Sequence, residues 1–140
     1  LSSKNIKINQ FVDELVFKCF PYEIESILNN LIANSTSSFD GLRIDEKIIN
    51  VSISSIENGI KIQYCDNGAG LSNLYKNDPR LILEPFETDK RASNGDIIGT
   101  GMGMWIVNRI VNEYNGSIDL SENKKREDGF YINIVLKEKQ

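Results

Sequence analysis

Residues 60–70 read Ile60-Lys61-Ile62-Gln63-Tyr64-Cys65-Asp66-Asn67-Gly68-Ala69-Gly70. Ile60, Ile62 and Tyr64 alternate with Lys61 and Gln63, the two-residue period of a half-buried strand. The alternation stops at a carboxylate, Asp66, followed by glycines at 68 and 70. A strand that ends this way presents an acceptor where the backbone can turn closely around a flat ligand, although a plain turn has the same composition. Immediately upstream, Ile48–Ile56 alternates Ile49, Val51 and Ile53 with polar partners. Glu57-Asn58-Gly59 between the two runs is a hairpin turn, its Asn-Gly pair suited to positive backbone angles.

Further out on the N-terminal side, Ser2 to Lys18 reads as extended chain and Pro21 marks a start. From Tyr22 to about Phe39, Ile24, Ile27, Leu28, Leu31 and Ile32 follow the spacing of an amphipathic helix. Asp40-Gly41 ends it. Asn30 and Asn34 lie one turn apart, which puts both amides on one flank at the border of the apolar stripe.

On the C-terminal side, residues 68–99 hold turn formers and two prolines, with little periodicity apart from a short helix near Leu81. Most of this segment is therefore expected to be a long loop, and loops of that length are usually functional or disordered. It ends in Gly99-Thr100-Gly101-Met102-Gly103-Met104, where a second helix starts, carrying Trp105, Ile106, Ile110 and Val111 inward. Glycines ahead of a helix N-terminus let backbone N–H groups converge on phosphate oxygens, with the helix dipole favouring the negative charge. The run lacks the Gly-Lys-Ser/Thr of a Walker loop and the preceding strand of a dinucleotide fingerprint. Asn115-Gly116 closes the helix at a left-handed cap. Ser117–Leu120 and Phe130–Leu136 make a closing hairpin. The elements predict an α+β fold: a two-layer α/β sandwich with a mixed, mostly antiparallel sheet and helices on one face.

The 140 residues suit a single domain. Hydrophobic content of 40% and charged content of 26% are ordinary for a globular chain, and no apolar run approaches membrane-spanning length. A net charge of -4 argues against a nucleic-acid surface, and Lys124-Lys125-Arg126 beside Asp128-Gly129 reads as a solvated turn. Cys19 and Cys65 are too few for a disulfide framework or a zinc site and are expected to be reduced core residues in a cytoplasmic protein. Leu1 in place of Met suggests a segment of a longer protein. The chain contains no histidine, which excludes histidine-based acid/base or nucleophilic catalysis within it.

In their order and spacing, the asparagine helix, the Asp-x-Gly-x-Gly loop and Gly-Thr-Gly-Met-Gly-Met resemble the GHKL ATP-binding, or Bergerat, fold over Leu15 to about Leu136. The resemblance is greatest to the catalytic domain of sensor histidine kinases. It makes Leu28-Asn29-Asn30-Leu31-Ile32-Ala33-Asn34-Ser35 the N box, with Asn34 offering its oxygen to Mg²⁺ and Asn30 at the preceding polar position. Asp66 then accepts from the adenine amino group, Gly68 and Gly70 shape the adenine wall, Gly99, Thr100, Gly101, Met102 and Gly103 hold the phosphates, and Leu71, Met102 and Met104 are apolar residues that fit an adenine pocket or core. Residues 71–99 correspond to the ATP lid, and residues 1–14 to a lead-in from an upstream domain. Within the lid, Glu84-Pro85-Phe86-Glu87-Thr88-Asp89-Lys90 is similar to the kinase F box, with Phe86 as anchor and Lys90 as a phosphate contact. Mg²⁺ suits this pattern because it takes phosphate oxygens, waters and only one or two protein oxygens.

The resemblance implies Mg-ATP as substrate complex and γ-phosphoryl transfer to a histidine on a separate dimerisation domain, with a response regulator downstream. The full-length protein could be membrane-anchored, with this segment touching neither membrane nor nucleic acid. Gyrase-like and MutL-like members carry a glutamate base one turn before the magnesium asparagine. Here that place is Asn30, a polar assistant at most, so no catalytic base is expected in the segment and intrinsic hydrolysis should be slow. A nucleotide-gated clamp of that type, or an inactive nucleotide-binding module, is the competing expectation. Two features depart from the kinase pattern. Thr36, Ser37, Ser38 and Phe39 follow the N box where basic or aromatic residues are common, and Phe130 follows Gly129 where a threonine hydroxyl often supports the adenine site.

Overall fold

In a computed structural model that describes residues 6–13, 21–85 and 103–138, strands β1 (Ile6–Val12), β2 (Lys47–Ile56), β3 (Gly59–Asp66), β4 (Ser117–Asp119) and β5 (Phe130–Lys137) form one sheet. Its order is β1-β2-β3-β5-β4. β1 runs parallel to β2 and every other pair is antiparallel. Helices α1 (Pro21–Phe39) and α3 (Gly103–Glu113) pack on one face, and a five-residue helix, α2 (Asn73–Asn77), leads into a 3-10 turn over Pro79–Leu83. This is the mixed, mostly antiparallel two-layer α+β sandwich expected. The candidate lead-in contributes β1, the edge strand of the same sheet.

The one-sided core follows from the strand period. Ile49, Val51 and Ile53 of β2, Ile60, Ile62 and Tyr64 of β3, and Ile132, Ile134 and Leu136 of β5 are buried against Ile27 and Leu31 of α1 and Val107, Ile110 and Val111 of α3. The alternate positions Asn50, Ser52, Gln63, Cys65, Tyr131 and Asn133 line a shallow groove on the other, open face. Cys65 is therefore a half-buried residue of the open face and not the core residue expected; its odd position in β3 turns it away from the helices. Cys19 lies outside the described residues.

Two glycine readings shift by one residue. Asn58 and Asn115 take the positive φ angles, 58° and 50°, and the glycines that follow them serve close approach. A Cβ on Gly59 would strike the carbonyl oxygen of Leu136, and one on Gly116 would strike that of Val135. Gly116 also closes α3 by donating its N–H to the Val111 carbonyl at 2.9 Å. Gly116→Ala is accordingly expected to cost about 3 kcal/mol, the scale of overpacking, and to lower the melting temperature by roughly 10 °C in a thermal scan.

The stretch expected as a loop after Gly70 is only partly one. Tyr75, Pro79 and Leu83 are buried, so α2 and the 3-10 turn belong to the packed body. The 3-10 turn includes the position expected for a short helix near Leu81. α2 is too short to show a helical period, which is why the sequence hides it. In α3, Met104 and Val107 take the buried positions while Trp105 and Ile106 are only half-buried. No helix among the described residues is long and apolar enough to cross a membrane.

Candidate functional site

The site forms where β3 ends beneath α1. The buried spine of α1 is Glu23, Ile27, Leu31, Ser35 and Phe39, a four-residue spacing that brings a hydroxyl, Ser35, between the apolar Leu31 and Phe39. Ile24, Leu28 and Ile32 pack at its side. β3 runs underneath, and its last inward residue is Asp66, 4% exposed.

Three donors converge on that carboxylate. Oδ1 accepts the backbone N–H of Gly68 at 2.9 Å and that of Phe130 at 3.1 Å, while Oδ2 accepts the Ser35 hydroxyl at 2.6 Å. Oδ1 is thus filled, and Oδ2 keeps one acceptor direction. The Tyr64 hydroxyl stands 2.5 Å from Ser35 Oγ and donates to the Leu31 carbonyl at 3.0 Å. Burial, with the Asp66 charge adding to it, pushes the Tyr64 phenol well above its ordinary value and outweighs the opposing Ser35 hydrogen bond. A phenol whose folded pKa is raised keeps its stabilising contribution below the unfolded value near 10 and loses it at higher pH. Tyr64→Phe should flatten the loss of stability above pH 10, read from urea midpoints across that range.

The loop after Asp66 is shaped by its neighbours. Ala69 N–H donates to Ser38 Oγ at 3.0 Å, so Ser35 and Ser38, which follow Asn34 on α1, hold the loop that starts at Asp66. Gly70 has φ +77°, and a Cβ there would come 2.7 Å from the Gly129 carbonyl oxygen. Gly129, at φ +84°, donates its N–H to the Gly68 carbonyl at 2.9 Å. Two glycine-bearing loops therefore interlock behind the carboxylate at a distance side chains would prevent. Lys76 of α2 ties the arrangement down by donating to the carbonyls of Arg126 and Glu127 at 2.9 and 2.6 Å.

α1 also reaches the N-terminus of α3. Asn30 donates its amide to the Ser26 carbonyl at 2.7 Å, and a Cβ built on Gly103 would meet Asn30 Oδ1 at 3.0 Å. The start of α3 thus lies against the asparagine flank of α1. Asn34, half-buried one turn further on, sits between Asn30 and the Ser35–Ser38 clamp. The helix links the Asp66 loop to the N-terminus of α3, so Asn30, Asp66, Gly68 and Gly103 are gathered along one helix, with Gly70 set against Gly129. Leu71 is half-buried against the core and Met104 lies in it. Phe86, Lys90, Gly99, Thr100, Gly101 and Met102 lie outside the described residues.

A model of the histidine kinase-, DNA gyrase B-, and HSP90-like ATPase family matches residues 21–140. The chain belongs to this ATPase family. Similar curated proteins are sensor kinases: the "Probable C4-dicarboxylate sensor kinase" of Bacillus subtilis is 28% identical over 116 residues, 83% of this chain and 20% of that protein. The nitrogen regulation protein NtrY of Azorhizobium caulinodans is 28% identical over 117 residues, 81% of this chain and 14% of NtrY. The chain thus spans a fifth or less of the length of these relatives. Among solved structures, the histidine kinase domain of the E. coli osmosensor EnvZ is 25% identical with a TM-score of 0.62, covering 98% of this chain and 77% of that one. The mycobacterial sensor histidine kinase MprB shares the fold at a TM-score of 0.70 and 19% identity, covering 96% and 83%.

The Asp66 carboxylate takes its hydroxyl partner from Ser35 on the helix and only a backbone N–H from Phe130 on the closing strand. Neither Ser35, Ser38 nor Tyr64 was singled out from sequence as a site residue. Ser35 had one readable signal, a polar residue in register with Ile27 and Leu31. Among the described residues no group of three or more His, Cys, Asp or Glu side chains could hold a metal by itself.

Proposed function

We propose that this segment is the ATP-binding catalytic domain of a sensor histidine kinase, positioning Mg-ATP for γ-phosphoryl transfer to a histidine on a separate dimerisation domain. The carrying observation is the Asp66 carboxylate, fixed by three donors at the end of β3 with one acceptor direction left on Oδ2. Such a group selects a ligand that donates there, as the adenine 6-amino group does and a carbonyl does not. Gly68 and Gly70 allow the flat ring close to the backbone. Asn34 would supply an amide oxygen to a Mg²⁺ carried by the nucleotide, and the glycine-rich run at 99–103 is assigned to the phosphates by its composition ahead of the α3 N-terminus. By the resemblance of residues 84–90 to the F box, Phe86 and Lys90 are assigned to nucleotide contact, and Leu71 and Met104 to the apolar side of the site.

The kinase reading is favoured over a hydrolytic one by Asn30. Its amide is spent on the Ser26 carbonyl, and an amide has no basicity with which to activate water. The chain holds no histidine, so the phosphoryl acceptor is supplied from outside it, and the domain contributes positioning and charge stabilisation. A response regulator is the downstream partner and the cytoplasm the compartment. Incubating the domain with γ-labelled ATP, Mg²⁺ and its cognate histidine-bearing domain tests this: acid-labile label on the acceptor is expected. Label released only as inorganic phosphate would favour the ATPase reading instead.

A further inference from the structure

We infer that Ser35, driven by Tyr64, is the positioning residue that aims Asp66 at the nucleobase, a helix-borne hydroxyl doing the work that the closing strand leaves undone at Phe130. The inference rests on the nucleotide reading of the site and assigns a role within it.

The argument is a count of protons. Ser35, Tyr64 and Asp66 make three contacts with one another and with the Leu31 carbonyl: Ser35 to Asp66 at 2.6 Å, Ser35 to Tyr64 at 2.5 Å, and Tyr64 to Leu31 at 3.0 Å. The two hydroxyls have only two protons to give. The carboxylate contact needs the Ser35 proton, since the carboxylate acts as acceptor toward all three of its partners. The 2.5 Å contact then requires the Tyr64 proton, because two oxygens that close without a hydrogen between them repel. The Leu31 carbonyl takes the longer, secondary share. The result is a one-way chain, Tyr64 to Ser35 to Asp66, in which each donor polarises the next.

The chain is buried throughout: Ser35 is 1% exposed, Tyr64 2% and Asp66 4%. It ends on Oδ2, the oxygen with an acceptor direction left, while the backbone bonds of Gly68 and Phe130 hold Oδ1. Backbone bonds to Oδ1 alone leave Asp66 the residual torsional freedom of its side chain, which shifts Oδ2. The Ser35 bond to the second oxygen removes this freedom, and so decides where a ligand amino group must sit. Without Ser35, Tyr64 can still donate fully to Leu31, so the fold keeps its hydrogen bond and the change falls on Asp66.

The test compares two nucleotides by calorimetry on the whole chain: ATP, and purine riboside triphosphate, which lacks the 6-amino group. Ser35→Ala is expected to weaken ATP about tenfold, the scale of one hydrogen bond to a charged group, and to leave the purine analogue unchanged. Tyr64→Phe is expected to shift ATP in the same direction by a smaller factor, with the analogue again unmoved. Equal losses for both nucleotides would show a merely structural serine and overturn the inference, as would unchanged ATP affinity in Ser35→Ala. Asp66→Asn separates the layers: if it weakens ATP while Ser35→Ala does not, only the role of Ser35 falls. If it leaves ATP affinity untouched, the nucleotide reading falls with it.

Discussion

Asp66→Asn is expected to weaken ATP binding by about 100-fold, near the upper range for a hydrogen bond to a charged group. The size follows from what the amide does in either orientation. With its nitrogen at the Oδ1 position it confronts the N–H groups of Gly68 and Phe130, two donors meeting a third. With its nitrogen at the Oδ2 position it confronts the Ser35 hydroxyl and the incoming amino group. Both placements leave buried donors unpaired, and only the second lets the backbone bonds survive. Ser35 can then turn to accept, but the ligand amino group cannot. The measurement is calorimetric titration with ATP, accompanied by a thermal scan, because the first placement also costs stability. A folded variant that binds ATP as tightly as the parent would refute the adenine role of this carboxylate.

The second large effect is expected at Asn34. Asn34→Ala removes the amide oxygen while leaving a residue of higher helix propensity at a half-buried position of α1, so the fold should be retained. Phosphoryl transfer should fall on the order of 100-fold, the scale of losing one charge-stabilising contact. Nucleotide affinity should also lose its dependence on Mg²⁺. Titrating ATP with and without Mg²⁺ separates this from general damage: a variant that binds weakly but keeps the full Mg²⁺ increment would show that the metal is held elsewhere.

Much of the fold is legible in the chain because its signals are local. The strand alternation through Ile49–Ile53 and Ile60–Tyr64, the four-residue spacing of Ile27 and Leu31, and the carboxylate followed by Gly68 and Gly70 are each readable within about a dozen residues. Five residues cannot display a helical period, which hides α2, and the sequence of an eleven-residue amphipathic helix fixes its stripe only to within a residue or so, so Trp105 is half-buried where its spacing predicts an inward side chain. Asn-Gly pairs at 58–59 and 115–116 marked the right turns, but the left-handed angle falls on the asparagine in both. What demands glycine there is a carbonyl of β5, far away in the sequence.

The sequence by itself determined the class of fold, the long helices and central strands, and the three clusters around Asn30–Asn34, Asp66–Gly70 and Gly99–Met104, since periodicity, glycine content and the chemistry of a side chain are properties of neighbouring residues. Only the tertiary structure decided that Ser35 and Ser38 clamp the Asp66 loop, that Gly129 interlocks with Gly70, and that Lys76 pins the loop before β5. Those partnerships join positions tens of residues apart. They depend on strand register and on the rotation of α1 over the sheet, and a serine on a helix face carries the same local signal whether it meets water or a buried carboxylate.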